Sequence, residues 1–119
     1  MPVAKNFTAF DEALEDYRAY AEGVLRTHFA KNDYTFAVPN IEIFKVSRKY
    51  AKLIRTESNT ETGEPQGQTF VHSFVEVATG DIFKAASFKA PAKHARGNIY
   101  RGNGAEALND AAQVNYLRG

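Results

Sequence analysis

The sequence predicts an α+β domain, mainly β: an N-terminal amphipathic helix, then a small, strongly bent antiparallel barrel of four or five strands, then a short C-terminal helix. Three observations lead there. Apolar residues recur every three or four positions from Phe10 to Phe29. Runs rich in β-branched and aromatic residues follow at short intervals. The 119 residues make one core's worth of chain, read as a single domain over 1–119. With 44% hydrophobic residues, nine Phe and six Tyr, a mostly disordered chain is excluded. The absence of cysteine excludes a disulfide framework, a thiolate nucleophile and a Cys-ligated metal. The opening MPVAKNFTAFDEALE carries acids and lacks an apolar stretch, so no secretory signal is expected. No run approaches the roughly eighteen apolar residues that span a bilayer. A cytoplasmic protein without a membrane partner is the expectation.

The helix is expected from Thr8 to about Ala30, with Phe10, Leu14, Tyr17, Ala21, Val24, Leu25, His28 and Phe29 as its apolar stripe. Thr8 and Asp11 read as a capping pair, and Asp11 with Glu12 complements the helix dipole. Glu22 and Arg26 stand four apart on the outer face. Residues 41–56, IEIFKVSRKYAKLIRT, fit both periods; the β-branched and aromatic content favours one strand, bent or bulged near Ser47. The polar ESNTETGEPQGQ over 57–68 reads as a mobile loop. TFVHSFVEV, ATGD and IFKAASF form the clearest hairpin signal, Pro91 stops its second strand, and Asn98–Tyr100 suits a further short strand. After Gly102 and Gly104, a weakly apolar helix is expected over Ala105–Leu117, with Ala107, Leu108, Ala111, Ala112 and Tyr116 on its inner side.

Fifteen Lys and Arg against fourteen Asp and Glu give a formal net charge of only +1, which conceals a separation. Lys45, Arg48, Lys49, Lys52 and Arg55 form one acid-free basic segment; Lys84, Lys89, Lys93, Arg96 and Arg101 form another. The acids gather in the helix (Asp11, Glu12, Glu15, Asp16, Glu22) and around 57–64. On neighbouring strands the two segments would make a surface that tracks a phosphate backbone. The plainer alternative is that they solvate a sheet face or guard an edge. Strand alternation puts Phe70, His72 and Phe74 on one face and Thr69, Val71, Ser73, Val75 and Val77 on the other. One face must be core. The aromatic one is then either covered by a second layer, such as a helix, or a platform on which bases stack.

KAPAKHARGNIYR, from Lys89 to Arg101, joins four cations and His94 to small residues and Tyr100. Amides near Gly97 with Lys93, His94 and Arg96 suit a phosphate, Tyr100 suits stacking, and an ordered loop with merely exposed charges is the alternative. Gly102-Asn103-Gly104-Ala105-Glu106-Ala107 matches the dinucleotide fingerprint in letters but lacks the strand–helix–strand that gives it meaning. The three histidines lie too far apart, with too few carboxylate companions, to predict a metal site. His28 reads as a packing residue. His72 and Ser73, as strand neighbours, are expected on opposite faces and so not as a catalytic pair. A metal-free nuclease built on His94, Lys93 and Tyr100 is the weaker enzymatic alternative. Asn6-Phe7-Thr8 fits the glycosylation pattern by chance, given no signal.

RKYAKLIR followed by GQTFVHSFVEVATGDIFKAASFKAPAKHARGNIY resembles a group of small uncharacterised proteins from phages and marine environmental sequence, over roughly residues 48–100. The resemblance implies a phage-associated origin, with a host cytoplasm as the location, and carries no catalytic residues with it. A helix followed by short bent strands also resembles the Sm-like (SH3-like) small barrels, whose members form rings and bind RNA. Arg96-Gly97-Asn98 is an echo of their base-binding loop.

The functional expectation is a non-enzymatic nucleic-acid-binding small barrel, for RNA or single-stranded DNA, oligomeric, without cofactor or metal. Arg48, Lys49, Lys52, Lys84, Lys89, Lys93, His94, Arg96 and Arg101 would contact phosphates, with Phe70, Phe74 and Tyr100 stacking. The alternative is an oligomeric structural or assembly protein, virion-associated or an interaction module, that binds no nucleic acid and pairs acidic helix with basic sheet between subunits.

Overall fold

The computed structural model describes residues 9–115. The Thr8 cap, the Asn6–Thr8 pattern, Tyr116 and Leu117 lie outside the described residues. Helix α1 runs Ala9–Lys31, and Phe10, Leu14, Tyr17, Ala21, Leu25 and Phe29 are buried along the predicted stripe. Asp33 ends it with a left-handed turn (φ 58°), and the Tyr34 amide returns to the Phe29 carbonyl at 2.9 Å.

Five antiparallel strands follow as a meander in sequence order: β1 (Ala37–Val46), β2 (Tyr50–Asn59), β3 (Pro65–Glu76), β4 (Asp81–Phe83) and β5 (Gly97–Asn98). The predicted barrel does not close. β1 and β5 are the sheet's two edges, and β4 and β5, with three and two residues, offer no ladder long enough to meet the ten-residue β1. The face that a barrel would fold inward is packed by α1 instead, through Ile41, Ala51, Leu53, Val75 and Ile82.

Residues 41–56 are not one bent strand. The phase slip near Ser47 is a chain reversal: the Ser47 amide and hydroxyl both donate to the Tyr50 carbonyl at 2.9 Å, and β1 and β2 pair as a hairpin. Nor is 57–68 a loop. β2 continues to Asn59 and β3 starts at Pro65, because the Asn59 side chain accepts the Glu61 and Thr62 amides (2.8 and 3.0 Å) and Gly63 supplies φ 76° for the turn. The hairpin at residues 77–80 forms as predicted, although its second strand stops at Phe83.

Of the three register shifts in the sheet, two set the faces around the candidate site and the third lies between Arg55 and Glu57. Phe44 is the extra residue of β1 between Ile43↔Leu53 and Lys45↔Lys52; His72 is that of β3 between Leu53↔Ser73 and Ile54↔Val71. Directly opposed residues share a face, so Lys45, Lys52, Phe74 and Phe83 form a row away from the helix, and Ile41, Arg55 and Phe70 form one on the helix side. The expectation that Phe70, His72 and Phe74 share a face therefore fails. One inserted residue moves everything before it to the other side.

The ion pairs of α1 act on the sheet edge. Arg18 bridges Glu15 and Glu22 and donates to the Ile41 carbonyl (2.9 Å), Glu22 accepts the Ile41 amide (2.9 Å), and Arg26 donates to the Pro39 carbonyl (3.0 Å). The outward backbone groups of β1 at these positions are thereby occupied, which blunts an edge that would otherwise template another strand.

The predicted C-terminal helix is only a 3-10 turn, Gly102–Ala107, within the described residues. Asn103 and Gly104 take positive φ inside it. The Asn109 carboxamide then captures the Ala111 and Gln113 amides (2.9 and 3.0 Å), competing with a helix ladder. Gly104 packs where a Cβ would stand 2.6 Å from Ile82 Cδ1, so this glycine of the false fingerprint serves close packing, whereas Gly102 faces open space and supplies only a positive φ of 53°.

Candidate nucleic-acid interface

The sheet face away from α1 carries its own aromatic layer. Tyr50 meets Phe74 and Phe83 edge-on, each at 6.0 Å. Beyond β4, residues 84–92 fold back as a narrow finger: Ala85 bridges Pro91, the Ala86 amide bonds the Ala90 carbonyl, and Ser87 Oγ accepts the Lys89 and Ala90 amides. Phe88, at its tip, reaches Phe44 of β1 edge-on at 6.2 Å. Phe74 is closed over (2% exposed), whereas Phe44 and Phe88 stay open at 53% and 51%. The Lys52 ammonium sits over the Phe88 ring at 4.0 Å and within 5.7 Å of the Phe44 and Phe74 rings. Lys45 lies opposite Lys52 across the ladder, Arg48 and Lys49 occupy the β1–β2 turn, and Lys89 follows Phe88. Among the described residues, none of these five cations joins an ion pair; of the acids two ladder positions from Lys52, Glu76 opposite Tyr50 accepts from the Thr79 hydroxyl and Glu42 opposite Ile54 accepts from the Thr56 hydroxyl.

The other predicted residues are placed elsewhere. Phe70 is exposed (54%) on the helix side of the sheet. Arg96 donates to the carbonyls of Lys93 (2.7 Å), His94 (2.6 Å) and Asn115 (3.2 Å), which ties its own loop to the C-terminal segment. Lys84 donates to the Val114 carbonyl at 3.1 Å. Arg101 pairs with Glu106 at 2.9 Å. Tyr100 lies against Gly80, where a Cβ would come within 2.5 Å of its ring. Lys93 and His94 are exposed, His94 at φ 70°. The fold thus gathers Arg48, Lys49, Lys52 and Lys89 into one patch, buries Phe74 beneath it and disperses the rest. Phe44, Lys45 and Phe88 complete that patch without having been predicted as site residues. Their signal is an aromatic directly beside a lysine, Phe44-Lys45 and Phe88-Lys89, inside or beside each basic segment.

A family model described as a family of unknown function (DUF7717) matches residues 3–115. The chain belongs to DUF7717. No curated protein and no solved structure matches it.

In this DUF7717 chain the bulge also overturns the expected separation of His72 from Ser73. His72 Nδ1 lies 2.9 Å from Ser73 Oγ, which is 2.8 Å from the Tyr17 hydroxyl, while Nε2 lies 2.6 Å from the Ala112 carbonyl. A carbonyl only accepts, so Nε2 carries the proton. Nδ1 then accepts from Ser73, which accepts from Tyr17. Burial, with smaller contributions from the Arg55 and Lys84 charges, lowers the His72 pKa to about 4 against the raising effect of the Ala112 bond. Burial likewise raises that of Tyr17, its bond to Ser73 opposing. Ser73 is completely buried, so the relay joins helix, sheet and C-terminal segment without offering a nucleophile to solvent. No group of three or more His, Asp or Glu suited to a metal exists among the described residues.

Proposed function

We propose that this chain is a non-enzymatic single-stranded nucleic-acid-binding protein, for RNA or DNA, acting through the outer face of its sheet. The observation that carries the reading is the open Phe44–Phe88 pair with the Lys52 ammonium against it. Open rings offer stacking surfaces to unpaired bases, and Lys45, Arg48, Lys49, Lys52 and Lys89 surround them with charge for the backbone that joins those bases. Unpaired cations bring a counterion-release contribution that ion-paired ones do not. A phage or marine origin and a cytoplasmic location, as the sequence resemblance implies, are part of this proposal. So is self-association: Phe44 and Val46 are half exposed near the end of edge strand β1, which favours the second reading, an oligomeric assembly protein without nucleic-acid affinity.

Fluorescence-anisotropy titration with labelled single-stranded DNA and RNA at low and moderate salt tests the first reading. Binding that weakens steeply with salt, and that Phe44→Ala and Phe88→Ala reduce, is the expected result. Absence of binding at low salt, together with salt-sensitive oligomers in sedimentation velocity, would establish the second.

A further inference from the structure

We propose that the cleft between β3 and the C-terminal segment binds a small anion that carries a flat ring, the chemistry shared by nucleoside monophosphates and aromatic carboxylates. This site lies on the helix side of the sheet and stands apart from the outer-face patch. The cleft has a volume of about 830 Å³, within the range of small-molecule sites. Leu25, Phe70, His72, Arg55, Lys84 and Gln113 are among its walls, so apolar surface and converging polar groups are combined there.

The charge in the cleft is one-signed. Arg55 and Lys84 line it and, among the described residues, no carboxylate does; Glu57, which holds Arg55 Nη2 at 3.3 Å, and Asp110 are outside the lining. Arg55 is under-satisfied. Its Nε is buried without a hydrogen-bond partner, and the bond to Glu57 is its one hydrogen bond among the described residues. The buried Nε is out of a ligand's reach, but Nη1 makes no hydrogen bond among the described residues and keeps its donors for an incoming anion, while Phe29, 5.5 Å from Cζ, backs the guanidinium against the core. Lys84 is positioned by the Val114 carbonyl and adds a second positive charge. His72 stands in the same wall, its proton affinity lowered chiefly by burial and to a smaller extent by these two charges. Phe70 gives the cleft an open aromatic edge opposite Arg55 in the ladder, a residue type suited to a flat ring beside an anion-binding guanidinium.

The ligand class follows from having both elements. An inorganic anion would use the cations and leave Phe70 idle. A neutral ring would use Phe70 and draw nothing from the two positive charges. A ring with one phosphate or carboxylate uses both.

The test is an NMR titration of the ¹⁵N-labelled full chain with AMP, indole-3-carboxylate, adenosine and inorganic phosphate. AMP or indole-3-carboxylate should shift the amides of Val71, Ala112 and Val114, while adenosine and phosphate each bind about tenfold more weakly or not at all. Phe70→Ala, at an exposed position, and Arg55→Gln should each weaken the ring-bearing anion about tenfold. Thermal melts of both variants identify a folding defect, and Phe70→Ala keeps the test decisive if Arg55→Gln unfolds. AMP binding with indole-3-carboxylate silent assigns the site to phosphate monoesters; the reverse assigns it to carboxylates. Silence from both, phosphate binding as tightly as AMP, or shifts confined to Phe44, Lys52 and Phe88 would overturn the proposal. The last outcome would leave the outer-face reading standing, and silence in the cleft leaves the oligonucleotide titration unaffected.

Discussion

The two basic segments carry equal numbers of cations and meet different fates. Lys45, Arg48, Lys49 and Lys52 of the first reach one surface beside open rings, with no acid paired to them. In the second, Lys84 and Arg96 point to the C-terminal segment and grip the Val114 and Asn115 carbonyls, and Arg101 pairs with Glu106. His72 does the same for Ala112. Three basic side chains thus fasten one segment by three of its carbonyls. Charge density in sequence does not distinguish a binding surface from a backbone clamp. What distinguishes them is whether carbonyls lie within reach, which depends on where the chain returns.

The strongest way to break this contrast is through the clamp's histidine. Unfolded His72 takes a proton near pH 6.5 and the folded ring only near 4, so the unfolded state binds more protons in between. Stability contributed by His72 is complete above pH 6.5, falls as pH drops through that window by about 3 kcal/mol, and levels off below about 4. Urea unfolding at several pH values measures this, and His72→Gln should flatten that limb; an unchanged slope would detach His72 from the clamp. Next in size, Arg96→Ala should cost about 2 kcal/mol, since it frees carbonyls of two segments, while Arg48→Ala should stay within about 0.5 kcal/mol. Equal urea midpoints for the two variants would erase the difference between the segments.

Third, Phe44→Ala with Phe88→Ala should lower single-strand affinity about tenfold or more, whereas Tyr100→Ala leaves it unchanged, as anisotropy would report. A larger loss from Tyr100→Ala would return the interface to the second segment. The smallest effect concerns the edge of β1. Arg26→Ala removes the bonds to the Pro39 carbonyl and Asn40 Oδ1 and the exposed pairing with Glu22, and should cost about 1 kcal/mol while raising self-association in light scattering; a monomer of unchanged stability would show that the shield is dispensable.

Much of the fold was legible. The helix stripe gave α1 to within a residue or two, because a 3.6-residue period over six buried positions has no competing reading. The TGD hairpin was legible from its turn chemistry. The β1–β2 reversal was not: Ser47-Arg48-Lys49 carries neither Gly nor Pro, and the turn is held by the Ser47 side chain. Asn59, which turns the expected loop into a hairpin end, is a single residue in a polar stretch that looks uniform. The candidate interface is half visible in the sequence: its lysines and arginines stand out there, whereas its open rings do not, since exposure of Phe44 and Phe88 depends on one bulge and one finger.

By itself the sequence determined the N-terminal helix, the hairpin at the TGD turn, and the separation of positive from negative charge along the chain. These follow from periodicity and composition, which are local and additive. The tertiary structure alone decided which face each side chain occupies and which cations remain unpaired. A bulge of one residue at His72 reverses the strand's alternation, and hydrogen bonds to Ala112, Val114 and Asn115 form only where a segment some twenty to forty residues on packs back against the sheet.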